Sequence, residues 1–147
     1  MIRARLAETP TDIRLCLRIR WTVFVEEQGV RPSMELDGHD HADAVHALVT
    51  DGEVPCGAAR FVWAEPGVAK IERMAVLDGA RGRGAGRELL KFLETEASRR
   101  GAKTFTLHAQ AQARPFYERA GYRASGPEFD DGTGILHVRM DKPAGAH

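Results

Sequence analysis

Between Val76 and Leu90 the chain reads Val-Leu-Asp-Gly-Ala-Arg-Gly-Arg-Gly-Ala-Gly-Arg-Glu-Leu-Leu. Gly82, Gly84 and Gly86 alternate with Arg81, Arg83, Ala85 and Arg87. The chemistry such a stretch can do is anion binding. The first turn of a helix leaves amide N–H groups without internal partners, and the aligned peptide dipoles add partial positive charge there. Glycines remove the Cβ atoms that would hold an anion away, and the arginines add charge. Two familiar phosphate loops are excluded. A Gly-Lys-Ser/Thr sequence is absent. The dinucleotide spacing fails in both registers, because its third glycine would fall on Arg87 or on Leu89.

A second group of reactive types follows. Phe105-Thr106-Leu107-His108-Ala109-Gln110 leads into Ala113-Arg114-Pro115-Phe116-Tyr117-Glu118 and then Gly121-Tyr122. Tyr117 can serve as a proton donor, or it can be a core tyrosine with a wet hydroxyl. Glu72 can act as a base, or it can be a surface carboxylate paired with Arg73 or Lys70. Residues 37–43 plus His46 hold ligand types suited to a metal, but their spacing matches no metal motif, and a solvated turn is the reading taken. Glu27, Asp37 and Asp40 suit either attraction of a cationic amine or loop-fixing hydrogen bonds.

The elements that must position these residues can be read from periodicity. Ile2 to Leu6 alternates as a short strand. Thr9-Pro10-Thr11-Asp12 starts a helix that carries Ile13, Leu17, Trp21, Phe24 and Val25 on one stripe and stops at Gly29. Strands are expected over 44–50, 54–64 and 68–76, turned at Asp51-Gly52 and Pro66-Gly67. Leu89, Leu90, Leu93 and Ala97 recur at helical spacing, so the glycine loop sits between a strand and a helix. A strand over 103–109, a short helix over 113–120 and two closing strands complete the chain. One domain over 1–142 with a loose tail at 143–147 is expected: an α/β (α+β) arrangement with a mixed central sheet of about six to seven strands flanked by helices.

The segment Arg81-x-x-Gly84-x-Gly86 resembles the pyrophosphate signature of the GNAT superfamily, the acetyl-CoA-dependent N-acetyltransferases. Arg73-Met74-Ala75-Val76 looks like that family's fourth strand. Ala113, Phe116, Tyr117, Glu118, Gly121 and Tyr122 keep its second motif, with Gln110 where the family usually has Asn. Phe24-Val25-Glu26-Glu27-Gln28-Gly29-Val30, Glu35-Leu36-Asp37-Gly38-His39-Asp40 and Leu107-His108-Ala109-Gln110 look like the ElaA/YjcF-like subgroup. The resemblance implies a GNAT-like fold, acetyl-CoA as cosubstrate and no metal. It implies cofactor contacts at Met74, Ala75, Val76, at Arg81, Gly82, Arg83, Gly84, Ala85, Gly86 and Arg87, and at Gln110, Arg114, Phe116 and Tyr117. Tyr117 would protonate the departing sulfur, and Glu72 is the first candidate base. The acceptor would be a primary amine of a small molecule or peptide, near Glu27, Asp37 and Asp40. A non-catalytic acyl-CoA-binding or sensing domain of the same fold is the alternative.

The bulk numbers agree. Lys plus Arg and Asp plus Glu both total 21 in 147 residues, and a formal charge of zero argues against a general nucleic-acid binder. No segment reads as a signal peptide or a membrane span. Cys16 and Cys56 stand far apart in apolar contexts and read as buried free thiols, which suits a reducing cytoplasm. A homodimer stays open.

Overall fold

The computed structural model describes residues 1–32 and 44–145. Asp37 and Asp40, with the stretch weighed above as a metal site, lie outside the described residues.

Strand β1 (Ile2–Ala7) leads into helix α1 (Pro10–Arg20). Thr9 caps this helix: its hydroxyl accepts from the Asp12 amide at 3.1 Å. The expected continuation to about residue 28 exists but is wound as a π-helix over Trp21–Glu27. Then come β2 (Ala44–Asp51), β3 (Val54–Glu65) and β4 (Val68–Val76), paired antiparallel in sequence order as anticipated. Helix α2 (Ala85–Arg99), strand β5 (Thr104–Gln110), helix α3 (Arg114–Arg119) and strands β6 (Arg123–Ala124), β7 (Phe129–Asp130) and β8 (Leu136–Pro143) follow. The sheet has eight strands, one more than the upper expectation, because the short β7 pairs with β8. β8 also extends past the expected end of order: the Ala144 amide donates to the Lys103 carbonyl at 2.9 Å.

Strand alternation sends side chains to two cores. Ala47, Val49, Phe61, Leu107 and Met140 pack with Leu89, Leu90, Leu93 and Ala97 of α2. Leu48, Ala58 and Ala75 pack with Cys16, Ile19 and Val23 on the other face. Burying each such large aliphatic side chain contributes about 1.5–3 kcal/mol, so the two helices hold the sheet from opposite sides. Both cysteines are buried, and neither forms a disulfide among the described residues.

Two departures from regular pairing matter for function. The β3–β4 register runs Ala58↔Ala75 and then Arg60↔Glu72, so Arg73 and Met74 together oppose Ala59. This is a β-bulge, and Arg73 holds φ 58°, a left-handed conformation a non-glycine residue adopts at a cost of about 1–2 kcal/mol. Next, β4 and β5 run parallel and pair only from Val68↔Thr104 to Ile71↔Leu107. Beyond that point residues 72–76 and 108–110 continue as strands without pairing each other. The bulge bends β4 away, and the sheet opens between them.

Candidate active site

The opening between β4 and β5 joins a cavity of about 740 Å³, within the range of small-molecule sites. Its walls include Met74 and Val76 of β4, Leu107, His108 and Gln110 of β5, Tyr117 of α3, Glu27 and Gln28 of the π-helical segment, and Asp131 and His137 from β8 and the loop before it. Along residues 72–76 the main chain facing β5 lacks its ladder partner. Apart from the Val76 carbonyl, which accepts from Arg81, those groups have no strand across from them and offer an edge to which an extended ligand could add itself.

At the far end of β4 the glycine loop leads into α2. Gly82 and Gly84 hold φ 81° and 85°, and Gly84 caps the helix from the left-handed region. A Cβ at Gly84 would meet nothing within 4 Å, so the concavity in front of the helix is open. Gly86 has a different task. A Cβ there would lie 3.4 Å from Phe116 Cζ and 3.7 Å from Val76 Cγ2, in ordinary contact, so this glycine sits where α2, α3 and β4 meet. The arginines are not equivalent. Arg81 donates through Nε to the Val76 carbonyl at 2.9 Å and through Nη2 to both oxygens of Glu27 at 3.0 and 2.8 Å. Arg83 pairs with Asp51 at 2.7 Å, and Arg114 with Glu118 at 3.3 Å. Arg87, by contrast, takes part in no ion pair among the described residues.

Tyr117 is 9 % exposed and lines the cavity. Its hydroxyl donates to Met74 Sδ at 3.6 Å, and its ring packs edge-on against Phe116 and Tyr122. Burial pushes its phenol up to about 12, so it holds its proton at any ordinary pH. Met74, Val76, Gln110 and Tyr117 thus line one cavity, and Phe116 packs against Tyr117. Ala75 itself packs into the α1-side core.

Glu72 faces the cavity, but both its oxygens already accept from cations. Arg60, fully buried, donates to Oε1 at 2.9 Å, and Lys70 lies 3.2 Å from Oε2. Of the anticipated partners Lys70 is present, and Arg60 joins it from the neighbouring strand. Glu27 is likewise bound to Arg81 rather than presented to the cavity alone.

Among the wall residues, Gln28, His108, Asp131 and His137 had no role assigned from the sequence, whereas Gln110 was expected at the cofactor. Gln28 and Gln110 exchange amide hydrogen bonds at 3.2 and 2.8 Å, tying the π-helical segment to β5. His137 and Asp131 lie 3.5 Å apart, and His137 Nδ1 contacts the Ile135 carbonyl at 2.7 Å. His108 stands edge-on to Phe129 with ring centres 5.1 Å apart. The signal for Arg60 was visible: one arginine inside the apolar run Cys56–Val62 demands a buried counter-charge.

Comparison with known proteins places this geometry. A sequence profile described as an acetyltransferase (GNAT) domain matches residues 17–144. The Bacillus subtilis protein named as the uncharacterized N-acetyltransferase YjcF is 39% identical over 142 residues, covering 96% of this chain and 99% of its own. The crystal structure of Escherichia coli ElaA superposes with a TM-score of 0.82 at 27% identity, covering 97% of this chain and 99% of that one. An aminoglycoside 6'-N-acetyltransferase solved in complex with coenzyme A shares the fold, with a TM-score of 0.78 at 15% identity over 100% of this chain and 98% of that chain.

Proposed function

The chain belongs to the GNAT acetyltransferase family, alongside ElaA-like and YjcF-like proteins, and from that premise we propose that it moves an acetyl group from acetyl-CoA to a primary amine of a small molecule or peptide by direct attack. The observation that carries this reading is the parting of β4 from β5 beside the glycine-capped start of α2, with Tyr117 on the wall of the cavity.

The unpaired main chain at Met74, Ala75 and Val76 would receive the two amides of the pantetheine arm, with Gln110, Arg114 and Phe116 on the opposite side. Amides of residues 81–87 would face the diphosphate, with Gly82 and Gly84 giving the close approach, Ala85 and Gly86 opening the helix, and Arg83 and Arg87 supplying charge. Arg81 supports this loop from behind, through the Val76 carbonyl and Glu27. Tyr117 gives its proton to the sulfur as the C–S bond breaks. A thiol titrates near ~8.5, so a buried phenol is the weaker acid and stays loaded until the thiolate forms. Tyr117 then recovers a proton from the nitrogen that has formed the new C–N bond. Neither cysteine is needed as a nucleophile. Glu27, Asp37 and Asp40 are proposed to draw a cationic acceptor, which must lose a proton to a base on the cavity wall, where Glu72 stands with both oxygens on cations.

Thiol release from acetyl-CoA across a panel of primary amines tests the reading. Amine-dependent release at a rate well above hydrolysis is expected. A coenzyme A-induced rise in melting temperature with no turnover on any amine would instead favour a binding or sensing domain of the same fold.

A further inference from the structure

The amine must arrive as an ammonium and leave one proton behind before it can attack. The cavity offers five groups of the right type: Glu27, Glu72, Asp131, His137 and His108. Four are committed. Glu27 holds Arg81 with both oxygens. Glu72 is divided between Arg60 and Lys70. Asp131 accepts from the Thr133 amide at 3.2 Å and hydroxyl at 2.6 Å and faces His137. His137 is fixed by the Ile135 carbonyl on one ring nitrogen and faces Asp131 with the other. His108 alone makes no hydrogen bond or ion pair among the described residues. It packs edge-on against Phe129, a contact that orients the ring without consuming a nitrogen.

The position is as telling as the missing partners. Ile71↔Leu107 is the last pair before β4 and β5 part, so Glu72 and His108 are the first residues of the opening on each strand. In-register neighbours of parallel strands share a face, and Ile71 and Leu107 both point into the α2-side core. Glu72 and His108 therefore lie together on the other face, inside the cavity that Tyr117 also lines.

We propose that His108 is the catalytic base that takes the first proton from the acceptor ammonium, while Glu72 beside it stays committed to Arg60 and Lys70. The inference rests on the acetyl-transfer reading above. The balance is as follows. The ammonium passes one proton to a ring nitrogen of His108. The freed lone pair forms the C–N bond and the C–S bond breaks. Tyr117 protonates the sulfur and is reprotonated from the nitrogen, and His108 releases its proton to solvent. Acetyl-CoA and an ammonium thus give the amide, free thiol and one proton.

The electrostatic setting suits the role. Partial burial lowers the ring below the ordinary histidine value, and Lys70, His137 and Arg139 push the same way, while Glu72 opposes them. These charges come from β4 and β8, the strands on either side, and the ring is neutral at pH 7.

The test uses the full-length protein with the amine that gives the fastest wild-type release. In His108→Gln, turnover should fall by at least ~10-fold at pH 7 with coenzyme A affinity and melting temperature retained, and the acid limb of kcat/KM assigned to His108 should disappear. Imidazole should restore part of the rate to His108→Ala. By NMR, the His108 ring of the wild-type protein should titrate below ~6.5. A His108→Gln enzyme with wild-type rate and acid limb, or a His108 that titrates above the ordinary value, overturns the proposal while leaving acetyl transfer intact. No wild-type release with any amine would sink the acetyl-transfer reading, and His108's role with it.

Discussion

Replacing Tyr117 with phenylalanine removes one oxygen and little else. The hydroxyl's partner is a thioether at 3.6 Å, a weak acceptor, while the ring keeps its contacts to Phe116 and Tyr122 at 5.0 and 5.9 Å. The stability change should stay within about 1 kcal/mol, a shift of melting temperature under about 5 °C. The main chain of β4 is untouched, so coenzyme A should bind as before. The chemical step, however, loses its proton donor. General acid catalysis is typically worth about 10²–10⁴-fold, or about 2.7–5.4 kcal/mol of barrier. The assay is thiol release at saturating acetyl-CoA, read beside calorimetric affinity and a melting curve. The expected pattern is a fall in kcat with both controls flat. A variant within about threefold of wild type would refute the acid role, and a large loss of affinity would show that the hydroxyl serves binding instead.

Three further outcomes follow from the geometry. Gly84→Val should weaken coenzyme A binding strongly, because φ 85° disfavours a branched residue and the side chain would enter the open concavity; calorimetry reads it. Gly57→Ala would place a Cβ 2.6 Å from Val49 Cγ1 and 3.1 Å from the Ala75 carbonyl, so it should cost about 1–3 kcal/mol in denaturant titration and loosen β4, with which Gly57 pairs. Because Tyr117 is pushed up to about 12, its acid form persists as pH rises, and kcat should show no basic limb from it below about pH 10.

Much of this was legible before any coordinates. Helix α2 declared itself through Leu89, Leu90, Leu93 and Ala97, and the hairpins through Asp51-Gly52 and Pro66-Gly67. Their signals are local, because periodicity and turn chemistry act over a few residues. The bulge at Arg73 was not legible. Left-handed conformations are usually announced by glycine, and here an arginine takes one because strand pairing on both sides imposes it. The π-winding of residues 21–27 is equally silent, since π and α turns carry similar apolar stripes. At the site, motif position singled out Tyr117 and the glycine loop. Pairing across the fold was beyond reach. The sequence placed Glu72 beside Lys70 and Arg73, while the sheet brings Arg60 to it from the adjacent strand. Glu27 and Arg81 meet across 54 residues, and His108 stands out only once every neighbouring acid and base has been given its partner.

The central claim is that the β4–β5 opening and the start of α2 together hold one acyl-CoA molecule. Isothermal titration of the pure, folded chain with coenzyme A addresses it directly. The account predicts saturable uptake of one equivalent, whereas a flat titration with protein that still melts cooperatively would contradict it.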